Sequence, residues 1–144
     1  MSKLTNCILN KDSSCTPVWF MRQAGRYLPE FQKIRSKNKD FIKLCLNSDL
    51  SSEISLQPMK RFNLDAAIIF SDILMVPYGL GQEIKFEKNK GPVLSTFNLD
   101  IFLKNDKDKF TEKLNPVYEA IRKTRENLDE AKSLISFVGA PWTL

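Results

Sequence analysis

Two arginines four residues apart are the first candidates for chemistry in this sequence. Arg22 and Arg26 enclose the segment Gln23-Ala24-Gly25, and Pro29 follows three residues later. Gly25 and the proline favour a loop over a helix, and in extended chain the two arginines lie up to about 13 Å apart. Since arginine binds carboxylates bidentately, this spacing favours a ligand with several separated carboxylates. The alternative, in which each arginine pairs with an internal carboxylate, stays open at this point.

The carboxylate of Asp72 is the second candidate. It follows the apolar run Ala66–Phe70 and precedes the apolar run Ile73–Val76. The first run has the composition of a strand buried on both faces, and polar residues at the carboxyl ends of such strands commonly form sites in α/β proteins. A capping role or a salt bridge explains the same position, so the pattern leaves both interpretations open.

The segments around these residues alternate between predicted strands and predicted helices. Short apolar runs predict strands at 18–21, 66–70 and 133–138. Helical spacing predicts a helix from Pro29, one over 49–62 with Ser51 and Ser52 as capping residues, and one over 111–132. Residues 78–97 are predicted to form a long loop with a small β-hairpin, and 100–110 to be irregular. This alternation predicts an α/β protein with a parallel sheet.

The composition is that of a soluble globular protein, with 42% hydrophobic and 27% charged residues. No apolar run approaches a membrane helix and the N-terminus lacks the apolar core of a signal peptide, so we expect a cytoplasmic protein without a membrane partner. The cysteines Cys7, Cys15 and Cys45 match no zinc or redox spacing, and there is no histidine. We therefore expect no metal site and chemistry that depends on Arg, Lys, Asp, Glu or Tyr.

The positive charge is concentrated around the arginine pair. The net charge is +5, and residues 1–48 hold nine Lys/Arg against three Asp/Glu. Such an excess favours an anionic partner, either nucleic acid or a small polyanion. Taken alone, these residues predict an anion-binding α/β protein and do not name a reaction.

Four segments taken together resemble one enzyme family. PVWFMRQAGRYLPEF (17–31) resembles the signature of the uroporphyrinogen decarboxylase family. Three later segments resemble the family's following blocks in the same order: DLSSEISLQPMKRFNLDAAIIFSDILMVP (49–77), GLGQEIKFEKNKGPVL (79–94) and ISFVGAPWTL (135–144). The resemblance implies a (β/α)8 TIM barrel, of which residues 1–144 would be a single, incomplete domain: the N-terminal part with about three strands.

The resemblance also implies a reaction, namely cofactor-independent decarboxylation of the acetate side chains of uroporphyrinogen III to coproporphyrinogen III in haem biosynthesis. It implies that the loop Arg22, Gln23, Ala24, Gly25 and Arg26 binds the carboxylates of this tetrapyrrole. It implies that Asp72 is catalytic, accepting hydrogen bonds from the pyrrole N–H groups and stabilising a cationic intermediate. It further implies no metal, no nucleic-acid partner, and a cytoplasmic homodimer of the full-length protein.

Other ligand-contacting residues of the family, a tyrosine, a hydroxyl-bearing residue and a histidine, would lie beyond Leu144. We therefore expect the 144-residue chain to be inactive by itself. Two alternative functions are a related barrel methyltransferase that uses cobalamin or zinc and a non-catalytic module that binds nucleic acid or another anion. The methyltransferase needs Cys/His ligands, none of which is recognisable here, and the only support for the binding module is the positive charge of residues 1–48.

Overall fold

The structure, a computed structural model, describes residues 1–12, 14–87, 90–96, 98–104 and 106–140. These residues contain seven helices and four strands. The chain forms two units, one of residues 1–71 and 116–137 and the other of residues 72–115 and the residues after 137. This architecture confirms the predicted α/β class. In chain order the elements are α1 (Lys3–Leu9), α2 (Pro29–Lys37), α3 (Phe41–Cys45), α4 (Ser48–Arg61), β1 (Ala66–Ile68), α5 (Met75–Gly79), β2 (Ile84–Glu87), β3 (Gly91–Leu94), α6 (Leu99–Lys104), α7 (Lys107–Asn127) and β4 (Ser133–Ile135).

The first unit contains a parallel pair of strands. β1 and β4 pair in register, with Ala66 opposite Ser133 and Ile68 opposite Ile135. Both strand predictions are confirmed, although the observed strands are shorter than 66–70 and 133–138. The predicted burial holds for β1 but not after β4, where Phe137 and Val138 are 45% and 72% exposed.

The core of the first unit lies where helices pack around the end of β1. Leu28, Phe31, Leu44 and Ile54 form its main cluster, with Phe70 packed against it. Burying a large apolar side chain contributes about 1.5–3 kcal/mol. This cluster therefore fixes the start of α2, and with it the residues that precede α2.

Two helix starts show how well local rules apply. α2 begins at Pro29 as predicted, and Glu30 lies in its first turn. Arg61 donates a hydrogen bond from Nε to Oε1 of Glu30 at 2.9 Å, which lowers the pKa of the Glu30 carboxyl group. The predicted cap of α4 is wrong, because Asn47 caps this helix by accepting the Leu50 N–H at 3.0 Å. Ser51 and Ser52 are instead buried within the helix.

The predicted buried strand at 18–21 is wrong. Residues 16–20 have no regular secondary structure, and Phe20 and Met21 are 61% and 79% exposed. Val18 does bond to the residue before β1, since its carbonyl oxygen accepts the Asp65 N–H at 2.8 Å. Further along, Oε1 of Gln23 accepts the Phe20 N–H, and Nε2 of Gln23 donates to the Ala66 carbonyl oxygen. In a strand ladder these two backbone groups would bond to backbone groups instead. A side chain thus replaces strand pairing at this edge of β1.

The second unit contains the predicted hairpin and helical segments that were not predicted. β2 and β3 are antiparallel, with Lys85 opposite Val93; residues 88 and 89 of the predicted tip lie outside the described residues. α6 and the start of α7 replace the irregular segment expected at 100–110. α7 begins early because Asp106 caps it, accepting the Lys109 N–H through Oδ1 at 2.9 Å. At the end of α5, a Cβ on Gly79 would lie 2.7 Å from the Phe110 ring, so this approach requires glycine.

The long helix predicted at 111–132 is confirmed as α7, with both ends earlier in the chain than predicted. It continues through Pro116, which was expected only near its start. It ends at Asn127, and the Arg125 guanidinium group closes the turn that follows. This group donates to the carbonyl oxygens of Leu128, Asp129 and Lys132 at 2.7, 2.8 and 2.9 Å. Within the described ranges, none of the helices has the length and apolar character needed to cross a membrane.

Candidate active site

The arginine loop, residues 22–26, lies between the irregular residues 16–20 and α2. A turn closes it, with the Leu28 N–H donating to the Gly25 carbonyl oxygen at 3.0 Å. Arg22 and Arg26 are exposed. No described residue forms an ion pair with either guanidinium group, so the alternative of internal pairing has no support in this part of the chain. Both side chains are therefore accessible from the solvent.

The side chain of Gln23 anchors the arginine loop to the sheet. It is only 3% exposed, its Oε1 accepts the Phe20 N–H at 3.1 Å, and its Nε2 donates to the Ala66 carbonyl oxygen at 2.9 Å. The Tyr27 hydroxyl donates to the carbonyl oxygen of Gln23. Hydrogen bonds therefore join the loop to the residue Phe20 before it, to Tyr27 after it and to Ala66, the first residue of β1.

Asp65 is a second anchor, and sequence reasoning missed it. Its Oδ2 accepts the Val18 N–H at 2.9 Å, and its Oδ1 lies 3.3 Å from Nζ of Lys3 and 3.8 Å from Nζ of Lys132. The hydrogen bond from Val18, together with the two lysines, lowers the pKa of the Asp65 carboxyl group despite its burial. The one available signal was an acidic residue directly before a buried apolar run.

Replacement of Asp65 should change the acid dependence of stability. The pKa of Asp65 is lower in the folded state than its unfolded value of about 3.9, so the ionised carboxylate stabilises the fold above about pH 4. This stabilisation is lost as the pH falls through the folded-state pKa. Asp65→Asn can still accept the Val18 N–H but has no charge, so it should lower the free energy of unfolding at neutral pH by about 1–2 kcal/mol. The difference from the original protein should shrink below about pH 4, as measured by urea unfolding across this pH range.

The matched control for this prediction is Glu130→Gln, which removes an exposed carboxylate of the same unit outside the helices and strands. It should leave both the neutral-pH stability and the acid limb unchanged. A difference for Asp65→Asn that stays constant from neutral to acid pH would contradict the assigned role of its charge.

Two serines of α4 hold the chain at Phe70. Ser51 Oγ donates to the Phe70 carbonyl oxygen at 2.5 Å, and the Phe70 N–H donates to Ser55 Oγ at 2.7 Å. Both serines are fully buried. The Phe70 ring also packs edge-to-face against Phe31 and Phe41, with centroid distances of 5.8 and 6.0 Å. Phe70 is thus fixed through its backbone and its side chain, two residues before Asp72.

Asp72 itself is half-buried at the start of the second unit. Its Oδ1 accepts the Leu74 N–H at 2.9 Å, and its carbonyl oxygen accepts the Met75 N–H at 3.1 Å. The side-chain bond two residues along is an Asx turn, whereas the N-cap of α5 is Leu74, without a side-chain capping bond. The sequence left open a capping role or a salt bridge, and the described residues give Asp72 neither a place as the N-cap nor an ion pair. No described residue donates to Oδ2, which can therefore accept a hydrogen bond from a ligand.

Comparison with known proteins identifies the family. The model of the uroporphyrinogen decarboxylase (URO-D) family matches residues 1–144. The chain belongs to this family. A uroporphyrinogen decarboxylase of Rickettsia felis is 48% identical over 136 residues, which cover 94% of this chain and 39% of the relative. Proteins of the same name from Brucella ovis and Brucella canis are 47% identical over 128 residues, 89% of this chain and 38% of each relative. The chain thus spans well under half the length of these curated relatives.

Membership of the uroporphyrinogen decarboxylase family confirms the resemblance inferred from the sequence blocks. The arginine loop lies in the first unit and Asp72 begins the second, and their contact with a common ligand stays a prediction. Of the last block, 135–144, Pro141–Leu144 lie outside the described residues. The serines that hold Phe70 were missed, although their spacing of four residues places them on one helix face.

Proposed function

We propose that this protein decarboxylates the acetate side chains of uroporphyrinogen III and yields coproporphyrinogen III in haem biosynthesis. The observation that carries the proposal is the match of the uroporphyrinogen decarboxylase family model to all 144 residues. The curated relatives from Rickettsia and Brucella have this name, which supports a carboxy-lyase activity.

The chemistry of the substrate fits the residues of the candidate site. A porphyrinogen has carboxylates around its rim and pyrrole N–H groups at its centre. Arg22 and Arg26 are exposed, and no described residue forms an ion pair with either of them, which suits them to rim carboxylates. Asp72 has a carboxylate oxygen that accepts no bond from the described residues, which suits it to the N–H groups. In this proposal Gln23, Ala24 and Gly25 complete the loop that faces the rim.

The reaction requires an electron sink, and the substrate supplies one. Protonation of a pyrrole carbon makes the ring cationic, so that the bond between the acetate methylene and its carboxylate breaks with its electron pair moving into the ring. Carbon dioxide leaves, the methylene carbon takes a proton, and the ring carbon returns its own. One proton is consumed for each carbon dioxide released. The carboxylate of Asp72 stabilises the cation, and preorganised charge of this kind contributes several kcal/mol. The proposed reaction needs no metal or organic cofactor.

The proposal extends to the fold and assembly of the protein. We propose a TIM-barrel domain, to which these residues contribute the first strands, in a cytoplasmic homodimer with neither nucleic acid nor membrane as a partner. The support for the barrel is the family resemblance together with the parallel pair β1 and β4, which follows the strand–helix–strand pattern of such barrels. The support for the dimer and its location is the resemblance alone.

The test is turnover by the protein expressed from its complete gene. We expect it to convert chemically reduced uroporphyrinogen III, under exclusion of oxygen, into products with successively fewer carboxylates, ending at coproporphyrinogen III. The products are oxidised to porphyrins and separated by chromatography. Failure of the folded protein to remove any carboxylate would contradict the proposal, and stoichiometric bound zinc would favour the methyltransferase alternative.

A further inference from the structure

We propose that Gln23 is a positioning residue that sets the orientation of Arg22 and Arg26 and makes no contact with the substrate. This inference rests on the proposed function and differs from the resemblance, which assigns the whole loop to carboxylate binding. It is drawn from the hydrogen bonds and the burial of this one side chain.

The side-chain amide of Gln23 has no free hydrogen-bond donor for a substrate carboxylate. Only its Nε2 could donate to an anion, and that atom donates to the Ala66 carbonyl oxygen at 2.9 Å and lies 3.7 Å from Sδ of Met59. Its Oε1 accepts the Phe20 N–H at 3.1 Å. With the side chain 3% exposed, a carboxylate could reach it only after these bonds break. Breaking them would leave two backbone groups without partners, at a cost that disfavours direct contact.

The same bonds explain how Gln23 acts on its neighbours. The residue lies between the two arginines in sequence, and its side chain joins the segment before the loop to β1. The Tyr27 hydroxyl, on the other side, donates to its carbonyl oxygen. The backbone from which both guanidinium groups extend is therefore fixed to the sheet, while the groups themselves remain exposed. A fixed backbone reduces the ordering that ligand binding would otherwise require.

Loss of the hydrogen bonds of Gln23 should weaken substrate binding only because it changes the positions of Arg22 and Arg26. We expect Gln23→Met, which keeps the side-chain length and removes the amide, to weaken the binding of uroporphyrin by about tenfold. Uroporphyrin, the stable oxidised form of the substrate, serves as the probe, and its dissociation constant is measured by fluorescence with the protein expressed from its complete gene. KM for uroporphyrinogen III should rise by the same factor.

A double-mutant cycle separates positioning from contact. In a protein that already has Arg22→Met and Arg26→Met, adding Gln23→Met should change the dissociation constant less than twofold. If Gln23 contacted the substrate directly, that contact would still be present without the arginines. Adding Gln23→Met would then still weaken uroporphyrin binding about tenfold in the Arg22→Met and Arg26→Met protein. The matched control is Gln57→Met, because Gln57 is 5% exposed on α4 and its amide has no hydrogen-bond partner among the described residues. It should leave uroporphyrin binding unchanged.

Additive losses, or an equal loss in Gln57→Met, overturn the inference, whereas non-additive losses confined to Gln23 support it. If Gln23→Met fails to fold, Gln23→Asn, which keeps the amide but is one methylene shorter, enters the same cycle with the same criteria. A folded parent protein without turnover overturns the proposed function, and an active parent with an additive cycle overturns this inference alone.

Discussion

Replacement of Asp72 by asparagine should lower kcat/KM for uroporphyrinogen III by about 100- to 1,000-fold. Asparagine retains an oxygen that can accept the Leu74 N–H, which Oδ1 of Asp72 accepts at 2.9 Å, so the turn before α5 should persist. The amide nitrogen then takes the place of Oδ2 and presents a donor where the pyrrole N–H groups need an acceptor. The negative charge that, in the proposed mechanism, stabilises the cationic intermediate is lost as well. Steady-state kinetics of the protein expressed from its complete gene gives the measurement.

The control for the Asp72 variant is Asp108→Asn. Asp108 is exposed in the first turn of α7 and belongs to the same unit as Asp72. Its replacement removes the same charge elsewhere in that unit and should leave turnover unchanged. Near-normal turnover by Asp72→Asn, or an equal loss in both variants, would remove Asp72 from the catalytic role.

Replacement of both arginines by methionine should raise KM for uroporphyrinogen III by about 100-fold or more, and each single replacement by about tenfold, since a hydrogen bond to a charged group contributes about 1.5–3 kcal/mol. Methionine keeps most of the apolar length and removes the guanidinium group. Because Arg22 and Arg26 are exposed and form no ion pair with any described residue, stability should change little. The measurement is KM together with the thermal unfolding midpoint.

The control for the arginine variants is Arg122→Met. Arg122 is also exposed, but it lies on α7 and forms ion pairs with Glu119 and Glu126 at 2.7 and 2.6 Å. These contacts raise the pKa of Arg122, yet its loss should not alter KM, since its charge is already paired with two glutamates of α7. An unchanged KM in the Arg22 and Arg26 double variant would show that the loop does not bind the substrate.

The sequence by itself determined the features that depend on neighbours along the chain. The start of α2 at Pro29, the hairpin within 78–97 and the α/β alternation follow from turn residues and short-range spacing. The family could also be predicted from the sequence, because the blocks around Arg22–Arg26 and Asp72 occur in a specific order, and the match of the family model confirms the family. The local rule failed at the start of α4, where Ser51 and Ser52 were predicted as capping residues and Asn47 caps the helix instead.

Only the tertiary structure decided how the arginine loop is held. The apolar residues 18–21 look like a buried strand, yet their hydrogen bonds depend on partners far along the chain. Val18 bonds to Asp65, 47 residues later, and Gln23 bonds to Ala66, 43 residues later. No local pattern encodes which distant carbonyl or amide group a side chain will meet, because that depends on how α4 and β1 pack. Gln23 is therefore buried and bonded to the start of β1, while Arg22 and Arg26 remain exposed beside it.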